Sequence, residues 1–213
     1  MAHMASTPLP LTVGFDLDMT LIDSRPGIHA TYTALAERTG THIDADLAVT
    51  RLGPPLAQEL VHWFPADEVP AVADLYREMY PAIAIAATPA LPGAREAIAA
   101  VREAGGRAIV VTAKYEPNAK LHLAHLGIEP DAVIGNLWAE QKAEALREYD
   151  ARVYVGDHEG DVRAARAAGT LSVTVATGPY DADQLRALGA DVVLTDLTRF
   201  PAWLTGYLDA PRA

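Results

Sequence analysis

The chain has 213 residues, half of them apolar, with no cysteine and a formal net charge of −11. That composition supports a large core, or a core with a smaller insert, and excludes a disordered chain, disulfides and thiolate metal sites. The acidic balance lacks the basic footprint of a nucleic-acid binder, so an anionic ligand needs a locally positive site.

The opening stretch MAHMASTPLP reads as a cloning remnant and a loose lead. No run approaches the roughly 18 apolar residues of a membrane helix, and no signal-peptide pattern is present. A cytoplasmic protein with no membrane partner is the expectation. LTVGF (11–15) predicts a buried strand. From 24 to 88 the pattern is helical: GIHATYTALAERTG stops at Gly40, DADLAVTRLGPP starts on cap-type residues and breaks at Gly53-Pro54-Pro55, and LAQELVHWF follows. DEVPAVADLYREMYPAIA is expected to be interrupted at Pro81. TPALPG (88–93) reads as a return linker.

Beyond the linker, helices and strands alternate. The helices are AREAIAAVREAGG, EPNAKLHLAHLG, QKAEALREY, GDVRAARAAG, DADQLRALGA and LTRFPAWLTGYL. The strands between them are RAIVVTA, DAVIG, ARVYVGD, LSVTVAT and DVVLT. This alternation predicts an α/β fold: a doubly wound, Rossmann-like parallel sheet with right-handed crossovers. The α/β core is expected over 11–23 and 89–209, with an inserted α-helical cap domain over 24–88.

In such a sheet, ligands bind beyond the carboxyl ends of the strands. Four such places carry reactive side chains. Asp16 and Asp18 follow the first strand, with Thr20 two residues on. Thr112 and Lys114 close RAIVVTA, Lys142 opens a helix, and Asp157 and Asp161 sit in GDHEGD. Taken singly, each has a plain structural reading: a solvated turn, an ordinary strand threonine, an exposed lysine, a helix cap. Their joint placement points to phosphoryl transfer. Clustered carboxylates repel unless a cation sits among them, and an all-oxygen donor set favours Mg²⁺. One aspartate can then serve as nucleophile and another as acid and base, with a hydroxyl and an ammonium stabilising the transferring oxygens.

DLDMT, VVTAK, Lys142 and GDHEGD, in that order, resemble the four signature motifs of the haloacid dehalogenase superfamily. The helical insert resembles the helical cap of its phosphoglycolate phosphatase and β-phosphoglucomutase branch. The resemblance implies that Asp16 attacks phosphorus, that Asp18 protonates the leaving oxygen and then activates water, and that Thr112 binds phosphoryl oxygens. It implies that Lys142 offsets charge, and that Asp16, the Asp18 carbonyl, Asp157 and Asp161 hold Mg²⁺, Asp161 either directly or by orienting the other ligands. Thr20 supports the first loop. The presence of Asp18 favours phosphate over carbon–halogen chemistry. The absence of lysine between 24 and 88 argues against a phosphonatase.

The implied activity is Mg²⁺-dependent hydrolysis of a small phosphorylated metabolite, with no nucleic-acid partner; the oligomeric state is not legible. A phosphomutase of the same superfamily is the alternative. A receiver-like signalling domain is disfavoured by length, insert and the acidic motif after the lysine, and a silent binding module by the complete set of groups. For substrate contact, Thr20, Lys114, His29 and Arg51 are candidates, the last in a stretch that resembles the cap specificity loop of phosphoglycolate-phosphatase-like relatives. His122 and His125, three apart on a helix, are expected on a solvated face, and His158 in an exposed loop. Trp63, Phe64, Tyr76 and Tyr80 are expected to pack the cap.

Overall fold

A computed structural model describes residues 11–210; the MAHMASTPLP stretch lies outside the described residues. Six strands form one parallel sheet in the order β3-β2-β1-β4-β5-β6. They are β1 (Thr12–Phe15), β2 (Arg107–Val111), β3 (Ala132–Ile134), β4 (Ala151–Gly156), β5 (Leu171–Val175) and β6 (Val192–Leu194). The chain winds outward from β1 through β2 to β3, then returns to place β4 on the other side of β1. The winding therefore reverses between β1 and β4, where an open sheet leaves a crevice at its carboxyl edge.

Side-chain alternation explains why both faces are covered. Val13, Phe15, Ala108, Val110, Val153 and Val155 point into one apolar cluster with Ile98, Phe200 and Leu204. Ile109, Val111 and Tyr154 point the other way, against Leu146, Ala164 and Ala165. The helices that alternate with the strands from residue 94 on are α5 (Ala94–Glu103), α6 (Glu116–Leu126), α7 (Lys142–Glu148), α8 (Glu159–Ala168), α9 (Ala182–Ala187) and α10 (Phe200–Asp209); α5, α7, α8 and α10 supply the partners just named.

Four further helices precede β2: α1 (Arg25–Thr39), α2 (Ala45–Val49), α3 (Leu56–Leu60) and α4 (Val69–Ala84). They bury their own cluster, including Tyr32, Leu35, Leu60, Phe64, Tyr76 and Tyr80. The two passages between this bundle and the sheet run side by side. Asp23 N–H donates to the Pro89 carbonyl at 3.0 Å, and Leu91 N–H to the Leu21 carbonyl at 2.9 Å.

Two expectations are corrected by the packing. Pro81 does not interrupt its helix, since α4 runs through it to Ala84. The proline removes one backbone hydrogen bond, but buried Tyr76, Tyr80 and Ala84 hold the two halves in line. His122 is fully buried, not solvated: its Nε2 shares a 2.9 Å hydrogen bond with the Tyr80 hydroxyl of α4.

Candidate active site

Asp16 is the first residue past β1. Its N–H donates to the Val155 carbonyl at 2.8 Å, so pairing with β4 continues one step beyond the strand and fixes the backbone of Asp16. Asp157 is the first residue past β4, and Asp161 sits in the first turn of α8. Carboxylate oxygens of Asp16, Asp157 and Asp161, all buried, come within 4.8 Å of one another. The Thr20 hydroxyl donates to Asp157 Oδ1 at 2.8 Å, tying the first loop to the fourth strand.

Lys142 is the cation set among these acids and has no solvent exposure. Its Nζ lies 2.7 Å from Asp161 Oδ1 and 3.1 Å from Asp16 Oδ1. It also donates to the Tyr154 hydroxyl at 2.8 Å, which in turn donates to the Val111 carbonyl at 2.8 Å. Gly14 makes this support possible. A Cβ there would fall 2.9 Å from the Tyr154 ring and 2.8 Å from Leu146, so only glycine lets the tyrosine lie against β1.

The two acidic residues near Lys142 differ in how fully they are used. Asp161 accepts at Oδ2 from the N–H groups of Asp157 (3.2 Å) and His158 (3.1 Å), while its Oδ1 takes the lysine. Both its oxygens are thus engaged, Oδ2 in holding the loop and Oδ1 in holding the lysine. Asp16 Oδ1 is buried, and its one charged neighbour is the Lys142 ammonium at 3.1 Å, which Asp161 holds more closely at 2.7 Å. Burial pushes the Asp16 carboxyl up to about 7 against the pull of Lys142, and Asp161 and Asp18 push the same way. Burial, then Asp161 and Asp16, carry Asp157 well above the ordinary carboxylate range. One ammonium does not balance three buried carboxyls. An all-oxygen cluster short of positive charge fits a hard divalent cation.

Asp18 has different company. Lys114 Nζ lies 2.8 Å from its Oδ1 and 4.8 Å from the centre of the Tyr80 ring. Burial disfavours the Asp18 charge, but Lys114 outweighs burial and the carboxyl is held below its ordinary value. Burial likewise opposes the Lys114 charge, and Asp18 more than restores it. Thr112 is buried at the end of β2, and its Oγ1 accepts from the Lys114 N–H at 3.2 Å.

A cavity of about 280 Å³ opens beside these groups. Its floor includes Asp16, Asp18, Thr112 and Lys114; its roof comes from the helical insert and includes Tyr32, Arg51, Glu59 and Tyr76. Of the candidate substrate contacts, Lys114 and Arg51 reach the cavity lining, whereas Thr20 and His29 do not. Lys114 is engaged with Asp18. The Arg51 guanidinium is taken by Glu59, with Nε 3.1 Å from Oε2 and Nη2 2.5 Å from Oε1. His29 faces away, its Nε2 3.1 Å from Asp46 Oδ1.

His158 is buried rather than loop-exposed. Its Nδ1 accepts the Gly160 N–H at 3.1 Å, capping α8, and its ring lies between Trp138 and Tyr180. Gly53, from the loop after α2, closes over that ring with φ +132°; a Cβ would sit 2.6 Å from His158 Cδ2. Tyr154 and Glu59 belong to the site without having been singled out by sequence. Tyr154 reads as one more buried strand residue and Glu59 as a solvated helix residue, and no local pattern reports what a phenol or carboxylate will reach.

Comparisons with known proteins identify the family of the chain. A family profile described as haloacid dehalogenase-like hydrolase matches residues 13–166, and a second, related profile matches 141–200. The chain is 31% identical over 205 residues to tyrosine-protein kinase PtkA of Mycobacterium tuberculosis, covering 89% of this chain and 70% of that protein. It is 31% identical over 221 residues to phosphoglycolate phosphatase of Rhodospirillum rubrum, covering 92% and 91%. A solved structure described as a predicted phosphatase from Clostridium acetobutylicum shares the fold, with a TM-score of 0.80 at 22% identity over 93% of this chain and 99% of that one. The matched profile spans DLDMT, VVTAK, Lys142 and GDHEGD, the same stretches that the sheet brings to one crevice, and the chain belongs to the haloacid dehalogenase-like hydrolase family.

Proposed function

We propose that this hydrolase is a Mg²⁺-dependent phosphatase that cleaves a small-molecule phosphomonoester through an aspartyl-phosphate on Asp16. The observation that carries the reading is the buried meeting of Asp16, Asp157 and Asp161 around the single ammonium of Lys142. Relatives named phosphoglycolate phosphatase support a small phosphorylated metabolite as substrate. The acidic charge and the absence of any helix long and apolar enough to cross a membrane, among the described residues, fit a role in the cytoplasm without nucleic-acid or membrane partners.

In this mechanism an Asp16 carboxylate oxygen forms the bond to phosphorus as the ester P–O bond breaks. Asp18 gives its proton to the departing alkoxide. Lys114 must yield its hold on Asp18 for that proton to be carried. Water then attacks the aspartyl-phosphate, Asp18 takes the proton back, and Asp16 is freed with inorganic phosphate. Lys142 offsets negative charge at Asp16 throughout, and Thr112 stands at the cavity floor to donate to a phosphoryl oxygen. Asp16, the Asp18 carbonyl and Asp157 would hold Mg²⁺, with Asp161 orienting the Asp157 loop. The ion supplies charge neutralisation of the phosphoryl oxygens. Residues 24–88 act as a cap over the cavity, excluding bulk water during the first step.

Asp16→Asn should abolish phosphate release from a generic aryl phosphate, by about 10³-fold or more, while circular dichroism stays unchanged. Full activity in that variant would remove Asp16 as nucleophile. Steady accumulation of inorganic phosphate separates hydrolysis from a mutase, which returns the phosphoryl group to its substrate.

A further inference from the structure

We propose that the leaving group is an uncharged alcohol with an apolar side, and that Glu59 is the residue that turns away anionic alternatives. The inference rests on the phosphatase reading above and specifies the substrate class of that same site.

The floor of the cavity deals with the phosphoryl group, so the roof must deal with the rest of the molecule. Three cations line the cavity, and each already has a carboxylate of its own. Lys114 is 2.8 Å from Asp18, Arg51 is doubly bonded to Glu59, and Arg77 Nη1 is 2.9 Å from Asp74. The Arg51 pair is the firmest. Glu59 Oε1 also accepts the Trp63 indole N–H at 2.9 Å, and the guanidinium carbon lies 5.7 Å from the centre of the Trp63 ring. Arg51 is therefore fixed by three contacts and brings no net charge to the roof. A second anion placed beside it meets the Glu59 carboxylate as well, and a like charge at close range discriminates strongly in a partly dry site.

The roof offers rings in place of free charge. Tyr32, Tyr76 and Tyr80 all line the cavity and touch in series, with ring centres 5.1 Å and 5.5 Å apart. The series ends at Tyr80, over Lys114 beside Asp18. The three rings are nearly buried and show the cavity only their edges, but with Ile28, Leu52 and Leu56 they give it an apolar lining that suits a leaving group with an apolar side, as in a sugar ring or an aryl alcohol. The paired Arg51 and Glu59 keep donors and acceptors for hydroxyl groups, which need no net charge. Arg77 is the weakest pair, because Asp74 is 79% exposed, and is the cation an anionic substrate would have to recruit.

The test compares kcat/KM for phosphate release from three esters: a hexose 6-phosphate, an aryl phosphate and 2-phosphoglycolate. Wild type should favour one of the neutral leaving groups over 2-phosphoglycolate by at least about tenfold. The better of the two neutral esters decides between sugar and aryl alcohol. Glu59→Gln should narrow the gap, chiefly by lowering KM for 2-phosphoglycolate with kcat little changed. The wild-type comparison stands alone should that variant fail to fold. Preference for 2-phosphoglycolate in wild type, whether or not Arg77→Gln removes it, or equal use of all three, overturns the inference and leaves the phosphatase reading intact. No phosphate from any ester removes both.

Discussion

An ammonium with no solvent contact, such as that of Lys142, persists only while its anionic partners stay in place, and the converse holds for them. Lys142→Met should therefore cost about 3–5 kcal/mol in urea unfolding, because it leaves buried carboxyls without their cation. A loss within the range of an exposed pair would contradict the burial described here. His122 makes a prediction of opposite kind. Burial, helped by Lys114, pushes its imidazole from an ordinary 6.5 down to about 4. The unfolded chain takes up a proton below pH 6.5 that the folded ring refuses until pH nears 4. Stability is thus complete above 6.5 and falls through that window, by up to about 1.4 kcal/mol per pH unit. Denaturation of wild type and His122→Gln between pH 7 and 4.5 should give a flatter dependence in the variant. At this scale the sequence was readable in placing residues at strand ends, as for Asp16 after β1 and Asp157 after β4. It was not readable where a side chain meets a distant partner: His122 faces α4 across 42 positions and Lys114 reaches Asp18 across 96.

Among the elements, α4 carries both a cost and a function. Pro81 withholds a backbone donor inside the helix, so Pro81→Ala should raise stability by about 1–3 kcal/mol, read as a higher melting temperature. An unchanged or lower value would mean that the proline is matched to a bend that tyrosine packing requires. The loop between α2 and α3 is the other informative element. Gly53→Ala adds a Cβ against the His158 ring at a backbone angle that alanine resists, so the loop must lift from the core. KM should rise with little change in melting temperature; an unaltered KM would show that this contact does not govern the cavity. The alternation of helices and strands after residue 93 was legible because Gly127 and Gly169 end their helices and the strands are continuous apolar runs. The continuity of α4 through Pro81 was not, since backbone propensity alone argues for a break and only burial of Tyr76 and Tyr80 overrides it.

For the molecule as a whole, the two apolar clusters are joined by two adjacent passages and by the Tyr80–His122 hydrogen bond, so a closing cap would have to pivot at the passages and renew that bond. Hydrogen exchange in 24–88 and at both passages should slow when Mg²⁺ and a phosphate mimic are added together; no change would count against a closing cap. Mg²⁺ alone should stabilise the wild type by about 2.7 kcal/mol at a hundredfold excess over its dissociation constant, and Asp157→Asn should lose that gain. The overall architecture was legible in the sequence because strand, helix and linker each have a local signature, whereas the contents of the cavity roof depend on how the bundle lies over the sheet. The bond from Thr20 to Asp157 spans 137 positions. A ribosome delivers the first of these long before the second, so a growing chain carries Asp16 in a half-built pocket with one side of β1 bare. The proposed hydrolysis would have to wait until β4 slots in, and fragments ending ahead of residue 151 should be inert and prone to stick to one another.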